Sequence, residues 1–336
     1  MRRVTGLSVV LAAALFVLTG CAAAGSPATG SPAASRPADP ASTGPASTGP
    51  APTASATPGP THAAGLHRKV LVVAEENHTE EDVLGSGRAP YLSALARQFA
   101  TFTDMAAGYP VGCPSLPAYL LMTSGSTHDV CDDDGPDAHP IDGPSIFSQV
   151  EDAGLQWRGY AESMPAPCTR ENAAVGRYLV RHAPAPYYTG ATRCRDWDLP
   201  LGTASAGALH DDVTAGSLPD YGFVTPDACD DMHGADVCTG NLVADGDRWL
   251  AAWLPQIMAG PDYRAGRLVI VVTWDEGSGS SNHIPTVVVS PTAQGVRVTD
   301  RVTHCGLLAM EEDLLRLPRL GCATAAPTPA RALGLA

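Results

Sequence analysis

Acidic residues follow three apolar segments of the chain, at the point where each segment ends. Glu76 follows "KVLVVAE", Asp227 follows "YGFVTP" and Asp275 follows "VIVVTW". His233 and His283 come shortly after the second and the third segment. If the three ends meet in the fold, their carboxylates repel one another unless a cation neutralises them. The pattern therefore indicates a metal site, whereas one acidic segment end alone would indicate only a solvated turn.

Sequence patterns around these residues are typical of an α/β protein. The segments "KVLVVA", "QWRGYAE", "YGFVTP", "RLVIVVTW" and "TVVVSP" read as strands, and "PYLSALARQFA", "SIFSQVEDAG" and "HCGLLAMEEDLLRL" read as helices. We expect a further helix in "DGDRWLAAWLPQIMAG" to be interrupted near Pro255. Alternating strands and helices predict a mostly parallel central sheet that is covered on both faces. Ligands of such sheets bind beyond the carboxyl ends of the strands, which is where the acidic residues follow.

The beginning of the chain predicts export. Arg2 and Arg3 precede the short apolar run "LSVVLAAALFVLTG", as in a secretory signal peptide, which we assign to residues 1–20. The ending "LTGC" resembles a bacterial lipobox. We therefore expect lipidated Cys21 to hold the protein at the outer side of a cell membrane, with a freely secreted form as the alternative.

Composition divides the rest of the chain. Residues 21–65 consist almost wholly of Ala, Pro, Gly, Ser and Thr without apolar periodicity, which predicts a disordered tether. Residues 66–325 are long enough to form one large domain with its own core, and they contain all the acidic segment ends and histidines named above. Residues 326–336 follow as a short tail.

Cysteine usage agrees with export. The chain has nine cysteines, and an even number remains after Cys21 is set aside, which predicts disulfides in an oxidising compartment. A zinc cluster is the less favoured explanation, because no C-x-x-C pair is present. Many pairings are possible, and we expect neighbours along the chain to pair. These pairs are Cys113 with Cys131, Cys168 with Cys194, Cys229 with Cys238, and Cys305 with Cys322.

The charge of the chain argues against one class of partner. The formal net charge is −14 at pH 7, so the surface repels phosphate backbones and a nucleic-acid-binding module is not expected. No feature of the sequence predicts a protein partner. An anionic substrate would need a local cation, and a bound metal ion is the obvious candidate.

A series of motifs gives a more specific indication. "EENH", "CPSLPAYLLMTSGST", "YAESMPAPC", "YLVRHAP", "FVTPDACDDMH", "TWDEG" and "NHIPTVVVSP" occur in this order along nearly the whole domain. Together they resemble the phosphoesterase family of bacterial acid phosphatases and phospholipases C, within the alkaline-phosphatase-like superfamily. The resemblance implies an α/β/α sandwich with a central, mostly parallel sheet. It also implies metal-dependent hydrolysis of phosphate esters through a serine or threonine nucleophile, with residues 66–325 as the phosphoesterase catalytic domain.

The resemblance further implies roles for individual residues. Ser115 corresponds to the nucleophile, and His233 and His283 are catalytic candidates that could protonate the leaving oxygen. Asn77, Arg181 and His182 are the candidates for contacts with the phosphate, and His304 is a weaker candidate for the site. The expected ligands of one or two divalent metal ions (Zn, Mg, Ca or Mn) are Glu76, Asn77, Ser115, Asp227, His233, Asp275, Glu276 and His283.

The chain departs from the family motifs at three positions. Cys113 and Ala118 stand where the family usually has the histidine and the asparagine of His-Pro-Ser-Leu-Pro-Asn-Tyr. Asp227 stands where related chains often carry Asn. Because the side chain of alanine cannot hydrogen-bond a phosphate oxygen, the change at position 118 bears on the choice of substrate more than on the type of reaction.

The function predicted from the sequence is hydrolysis of small phosphate monoesters through a phosphoserine intermediate. A phospholipase C-like diesterase and a non-enzymatic lipoprotein that binds a metal or a solute are the alternatives. A sulfatase is disfavoured because its Cys/Ser-x-Pro-x-Arg signature is absent, and "TSGST" does not fit the G-x-S-x-G motif of serine hydrolases.

The tether leads to a testable prediction about anchoring. Replacing Cys21 by Ser should release a fully active protein from the membrane, because a flexible segment separates the anchor from the domain. Phosphatase activity and protein amount are measured in the membrane and soluble fractions. A soluble but inactive variant would contradict the tether.

Overall fold

A computed structural model describes residues 68–109, 112–277 and 282–336. The predicted signal peptide, Cys21 and the predicted tether lie outside these ranges. Every helix within these ranges is too short or too polar to span a lipid bilayer.

Among the described residues, ten strands form the framework of the domain, and eight of them form one sheet in the order β5-β4-β6-β1-β7-β8-β2-β9. β5, β4, β6, β1 and β7 run parallel to one another. β8 pairs antiparallel with both β7 and β2, and β9 pairs parallel with β2. The remaining two strands, β3 and β10, pair separately. The strands are β1 (Lys69–Glu75), β2 (Ala100–Phe102), β3 (Met105–Ala106), β4 (Trp157–Ala161), β5 (Asp198–Pro200), β6 (Tyr221–Thr225), β7 (Leu268–Trp274), β8 (Thr286–Val289), β9 (Arg297–Val298) and β10 (Val302–Thr303).

Helices flank this sheet, and together they form the predicted α/β architecture. Short 3-10 helices cover Val180–His182, Ala185–Tyr187 and Gly321–Thr324. The α-helices are α1 (Glu80–Val83), α2 (Pro90–Gln98), α3 (Ser115–Ser124), α4 (Ile146–Asp152), α5 (Cys194–Trp197), α6 (Ala208–Ala215), α7 (Leu242–Ala259), α8 (Pro261–Arg264) and α9 (His304–Leu315).

α7 does not break at Pro255, and the predicted interruption is therefore wrong. Pro255 lies on the exposed side of a continuous helix. The backbone carbonyl that loses its hydrogen-bond partner is thus on the solvent side, where water can satisfy it. Trp253, Leu254 and Ile257 are buried on the other side, and their packing keeps the helix in place.

The central strands explain why apolar runs dominate their sequences. Every residue of β7, and every residue of β1 after Lys69, is buried, because layers cover both faces of the sheet. β4, β6, β1 and β7 are neighbours and parallel, so their carboxyl ends lie side by side at one edge. The acidic residues that follow these strands are thereby brought to a common edge, as the sequence predicted.

Disulfides join loops and helix ends around the sheet. The predicted pairing is confirmed at all four positions. The bonds are Cys113–Cys131, Cys168–Cys194, Cys229–Cys238 and Cys305–Cys322. Four disulfides fit a protein that functions outside the cytoplasm.

A buried acid in the edge strand β5 makes stability depend on pH. Asp198 is 2% exposed, its Oδ2 has no hydrogen-bond partner among the described residues, and burial raises its pKa from 3.8 to about 7. Since the folded state prefers the protonated acid, stability is full below the unfolded pKa and falls as the pH rises through the folded pKa.

Asp198→Asn, which cannot ionise, should therefore be more stable than the wild type at pH 8, by about 2–4 kcal/mol. The two proteins should be similar near pH 4. Urea denaturation at both pH values measures the difference, and the same difference at both would contradict the prediction.

Candidate active site

Glu76 lies at the centre of the candidate site, directly after the last residue of β1. Its side chain is fully buried. Oε2 accepts a hydrogen bond from Ser115 Oγ at 3.1 Å, and Oε1 accepts one from the Tyr119 hydroxyl at 2.7 Å. His182 Nε2 lies 3.1 Å from Oε1. The structure thus places the predicted nucleophile in contact with the first predicted metal ligand.

Both hydroxyl groups that contact Glu76 come from α3. The helix begins at Ser115, and Gly125 ends it in the left-handed conformation with φ 69°. Ser115 and Tyr119 are four residues apart and therefore lie on the same face of the helix. All residues of α3 are buried, which explains why its sequence lacks an amphipathic pattern.

His182 connects Glu76 to a second buried carboxylate. His182 Nδ1 lies 3.0 Å from Asp231 Oδ2, and both side chains are buried. Asp231 Oδ1 accepts a hydrogen bond from the backbone N–H of His233 at 2.7 Å. The backbone carbonyl of Asp231 accepts the N–H of Glu76 at 2.8 Å. The loop after β6 is therefore fixed to the end of β1 at several points.

Asp275 approaches from β7, the neighbour of β1. Its Oδ1 accepts a hydrogen bond from the backbone N–H of Asn77 at 3.1 Å. Asn77 has a left-handed backbone with φ 53°, which turns the chain sharply at the strand end. His304, the first residue of α9, is fully buried, with Nε2 2.7 Å from the backbone carbonyl oxygen of Asp275. His304 thus contacts the backbone of the site.

Glu276 lies next to Asp275 and is half-buried. Its Oε2 accepts a hydrogen bond from the hydroxyl of Tyr109. Burial raises its pKa, and Tyr109 works in the opposite direction by stabilising the carboxylate.

Arg181 brings a positive charge to the site. Its Nε lies 3.1 Å from Asp133 Oδ2, and the other oxygen of Asp133 accepts the N–H of Leu116, next to Ser115, at 3.0 Å. Arg181 Nη2 lies 3.3 Å from His233 Nε2. His233 Nδ1 is 2.5 Å from the carbonyl oxygen of Gly234, which favours the tautomer with the proton on Nδ1. His233 Nε2 is then a lone-pair donor directed into the site.

Uncompensated negative charge dominates the electrostatics of the site. Burial raises the pKa of Glu76, Asp231 and Asp275 well above their ordinary values. The charge of Asp231 raises the pKa of Glu76 further, and the charge of Glu76 does the same for Asp275. Burial also lowers the pKa of His182 well below its ordinary value, and the charge of Arg181 adds to this effect. The carboxylates therefore need a further cation before they can all be ionised.

The side chains of the site fit a divalent metal ion. Ligand atoms of Glu76, His182 and His233 lie within 4.8 Å of one another. Asp275 Oδ2 is buried without a hydrogen-bond partner among the described residues. Carboxylate oxygens and neutral imidazole nitrogens are ordinary ligands of such ions.

Two predicted site residues lie away from this group. Asp227 forms an ion pair with Arg177, whose Nε is 2.6 Å from Asp227 Oδ2. His283 Nδ1 lies 3.6 Å from Glu80 Oε2, on a partly exposed surface. The structure does not bring these two side chains to Glu76.

Three site residues escaped the sequence reasoning. Tyr119 contacts Glu76, Asp133 contacts Arg181, and Asp231 contacts His182. The position of Tyr119 one helical turn after Ser115 was a usable signal, because both fall on one helix face. Asp231 and Asp133 stand among other acidic residues, and no pattern distinguished them.

The structure also accounts for the departures from the family motif. Cys113 forms the disulfide with Cys131, so a covalent bond holds the chain just before Ser115. Ala118 is fully buried in a small apolar cluster with Ala107 and other residues, against which Cys113 also packs. Position 113 thus has a covalent bond, and position 118 has apolar packing, where the family motif has polar side chains.

Solved structures with the same fold support the architecture. A protein of the alkaline phosphatase superfamily from Vibrio parahaemolyticus has a TM-score of 0.56 at 12% identity, covering 80% of this chain and 72% of the other. A lipoteichoic acid synthase from Listeria monocytogenes has a TM-score of 0.52 at 9% identity, covering 76% and 74%. These similarities confirm an alkaline-phosphatase-like fold.

Sequence relatives point to phosphate esters. A phosphatidylinositol-3-phosphatase from Mycobacterium tuberculosis is 29% identical over 278 residues, covering 82% of this chain and 83% of that protein. An acid phosphatase from Aspergillus fumigatus is 22% identical, covering 73% of this chain and 54% of that protein. The chain thus spans about half the length of the Aspergillus relative. The model of the Phosphoesterase family matches residues 72–317. With this match and the site around Glu76, the chain belongs to the Phosphoesterase family and is a hydrolase that acts on phosphate ester bonds.

Proposed function

We propose that this protein is a metal-dependent phosphatase that removes phosphate from monoesters, with Ser115 as the nucleophile. The observation that carries the proposal is the contact of Ser115 Oγ with Glu76 Oε2 at 3.1 Å. Ser115 is 3% exposed, so its hydroxyl is directed at a carboxylate in a partly dehydrated position.

Glu76 is the group best placed to activate Ser115. A serine hydroxyl is a poor nucleophile at neutral pH and needs a base or a metal ion. The Oγ proton already points to Glu76, which can take it as the oxygen attacks phosphorus. The new O–P bond forms as the bond to the leaving oxygen breaks, and that oxygen takes a proton from solvent and departs as the alcohol. Water then hydrolyses the phosphoserine to inorganic phosphate, and the proton held by Glu76 is released as the Ser115 hydroxyl is restored.

The residues best placed to hold a metal ion beside Ser115 are Glu76 and Asp275, with Asn77 and Glu276 next to them. A bound divalent ion would neutralise the carboxylates and stabilise the negative charge of the transferring phosphoryl group. Glu76, His182 and His233 form a second possible set of metal ligands. Because two of these ligands are imidazole nitrogens, this set suits an ion that accepts nitrogen, such as zinc.

Arg181 is the proposed contact for the phosphate. Its guanidinium is held by Asp133, which is itself bonded to the first turn of α3. A guanidinium matches the geometry of phosphate oxygens and can donate two hydrogen bonds to them. His182 is fully buried between Glu76 and Asp231, and we therefore assign it to the proposed metal site and not to a contact with the phosphate.

The proposed substrates are phosphate monoesters, including those on a lipid headgroup. The name of the mycobacterial relative and the predicted lipid anchor both support a substrate at a membrane surface. Short-chain phosphatidylinositol 3-phosphate, an aryl phosphate and phosphatidylcholine form a suitable substrate panel. Release of inorganic phosphate supports the proposal, and release of diacylglycerol would assign the phospholipase C reaction instead.

Replacing Ser115 by Ala tests the nucleophile. The variant should fold and retain metal but lose turnover by roughly a thousandfold or more if covalent catalysis carries the rate. Acid quenching of the wild type during turnover should leave phosphate on the peptide that contains Ser115.

Ser124→Ala is the matched control, since Ser124 is a buried serine at the other end of α3 whose hydroxyl bonds to Leu120 and His128. It should keep turnover close to the wild type. Near-normal activity of Ser115→Ala would mean that water attacks phosphorus directly.

Replacing Asp275 by Asn tests the metal. The change removes one buried negative charge beside Glu76, so metal content and activity should fall together. Elemental analysis after dialysis and hydrolysis of an aryl phosphate, with and without EDTA, measure both. Asp198→Asn, the same change at a buried position in β5, should keep both. Full metal occupancy in Asp275→Asn would refute the assignment.

A further inference from the structure

A second acidic cluster lies beside the candidate active site and takes no part in the chemistry proposed above. It consists of Glu75, Glu162, Asp227 and Asp230. Glu75 ends β1, Glu162 follows β4, and Asp227 and Asp230 follow β6. Since these strands are adjacent and parallel, their ends deliver the four carboxylates to one place.

Three members of the cluster lie within the reach of a single ion. Ligand oxygens of Glu162, Asp227 and Asp230 are within 4.8 Å of one another. Asp227 is buried and the other two are partly buried. The backbone fixes this arrangement, because Glu162 Oε2 accepts the N–H of Asp227 at 3.1 Å.

Glu75 supplies an independent observation. Adjacent residues of a strand point to opposite faces, so Glu75 points away from the site around Glu76. Its side chain is fully buried, and neither carboxylate oxygen has a hydrogen-bond partner among the described residues. Val73 of β1 and Tyr160 of β4 are both level with Val224 of β6, so Glu75 and Glu162, each two residues further on, leave the same face of the sheet side by side.

Arg177 neutralises only part of this charge. Its Nε lies 2.6 Å from Asp227 Oδ2, and its Nη2 lies 3.1 Å from Asp230 Oδ2. The hydrogen bonds and ion pairs found at Glu162 and Asp230 use one oxygen of each carboxylate. The second oxygens of Glu162 and Asp230, together with both oxygens of Glu75, therefore form a set of possible metal ligands that contains only oxygen.

We propose that the second acidic cluster binds a hard divalent cation, with Ca²⁺ as the best match, separately from the ion proposed beside Ser115. Ca²⁺ takes several carboxylate oxygens in flexible geometry, whereas zinc favours the nitrogen and sulfur donors that this cluster lacks. The cysteines next to it, Cys229 and Cys238, are joined in a disulfide and offer no thiolate.

The bound ion has a positioning role. Asp227 begins the loop that carries Asp231 and His233, and Asp231 N–H bonds to the carbonyl oxygen of Asp227 at 2.8 Å. A cation shared by Glu75, Glu162 and Asp230 would fix this loop to β1 and β4. The proposal requires only the structure of the loop and does not depend on phosphatase activity.

Calcium binding by the full-length protein tests the proposal. Metal is removed with EDTA, the protein is dialysed against Ca²⁺, and bound calcium is measured by elemental analysis and isothermal titration. Thermal unfolding is followed with and without Ca²⁺, because a ligand of the native state raises the Tm. The variants are Glu75→Gln, Glu162→Gln, Glu76→Gln and, as the matched control, Glu311→Gln. Glu311 is another buried glutamate with an unpartnered Oε2, in α9.

The wild type should bind about one calcium ion that survives Glu76→Gln and Glu311→Gln. Glu75→Gln and Glu162→Gln should bind that ion at least about tenfold more weakly and lose the Ca²⁺-dependent rise in Tm. If Glu75→Gln does not fold, Glu162→Gln decides the result.

Three results would overturn the proposal. The first is that the wild type binds no calcium. The second is that a folded Glu75→Gln or Glu162→Gln variant binds calcium as tightly as the wild type does. The third is that Glu76→Gln abolishes binding of the same calcium ion, which would assign that ion to the active site.

Discussion

The placement of two neighbouring carboxylates at the end of the central strand is the constraint on which the rest of the site depends. Glu75 and Glu76 both have no exposed surface, and strand geometry sends them to opposite sides of the sheet. An ionised carboxylate in such a position costs several kcal/mol unless hydrogen bonds or cations compensate it. Around Glu76, hydrogen bonds from Ser115 and Tyr119 supply part of the compensation, and the imidazole of His182 lies against the same carboxylate. The elements that carry these groups, α3 and the segment after β4, must therefore pack against one strand end.

Sequence reasoning was reliable where one strong physical signal acted. The runs that became β1, β6 and β7 are apolar because both faces of the sheet are covered, and their order brings the acidic ends together. Pro255 shows where a local rule fails. Proline usually destabilises a helix interior, but the free-energy cost is small here. The lost hydrogen bond faces water, and the opposite side of the helix is packed against the core.

The site itself was only partly predictable, because turns decide which side chains converge. Met232 has a left-handed backbone with φ 75°, between Asp231 and His233, and this turn directs Asp231 to His182 while Asp227 pairs with Arg177. Nothing in "DACDDMH" distinguishes one aspartate from another, since all are short acids in a loop. Motif resemblance found the residues at strand ends and at the helix start. The residues whose direction depends on the conformation of a loop could be identified only from the structure.

The disulfide between Cys113 and Cys131 makes the environment of the proposed nucleophile depend on the redox conditions around the chain. It holds the chain two residues before Ser115 to the segment that carries Asp133, which in turn contacts Arg181 and the first turn of α3. This bond cannot persist in a reducing cytoplasm. The covalent link between the start of α3 and the loop with Asp133 therefore forms only when the chain meets an oxidising environment. The redox state of the surroundings thus decides whether this end of α3 is covalently held.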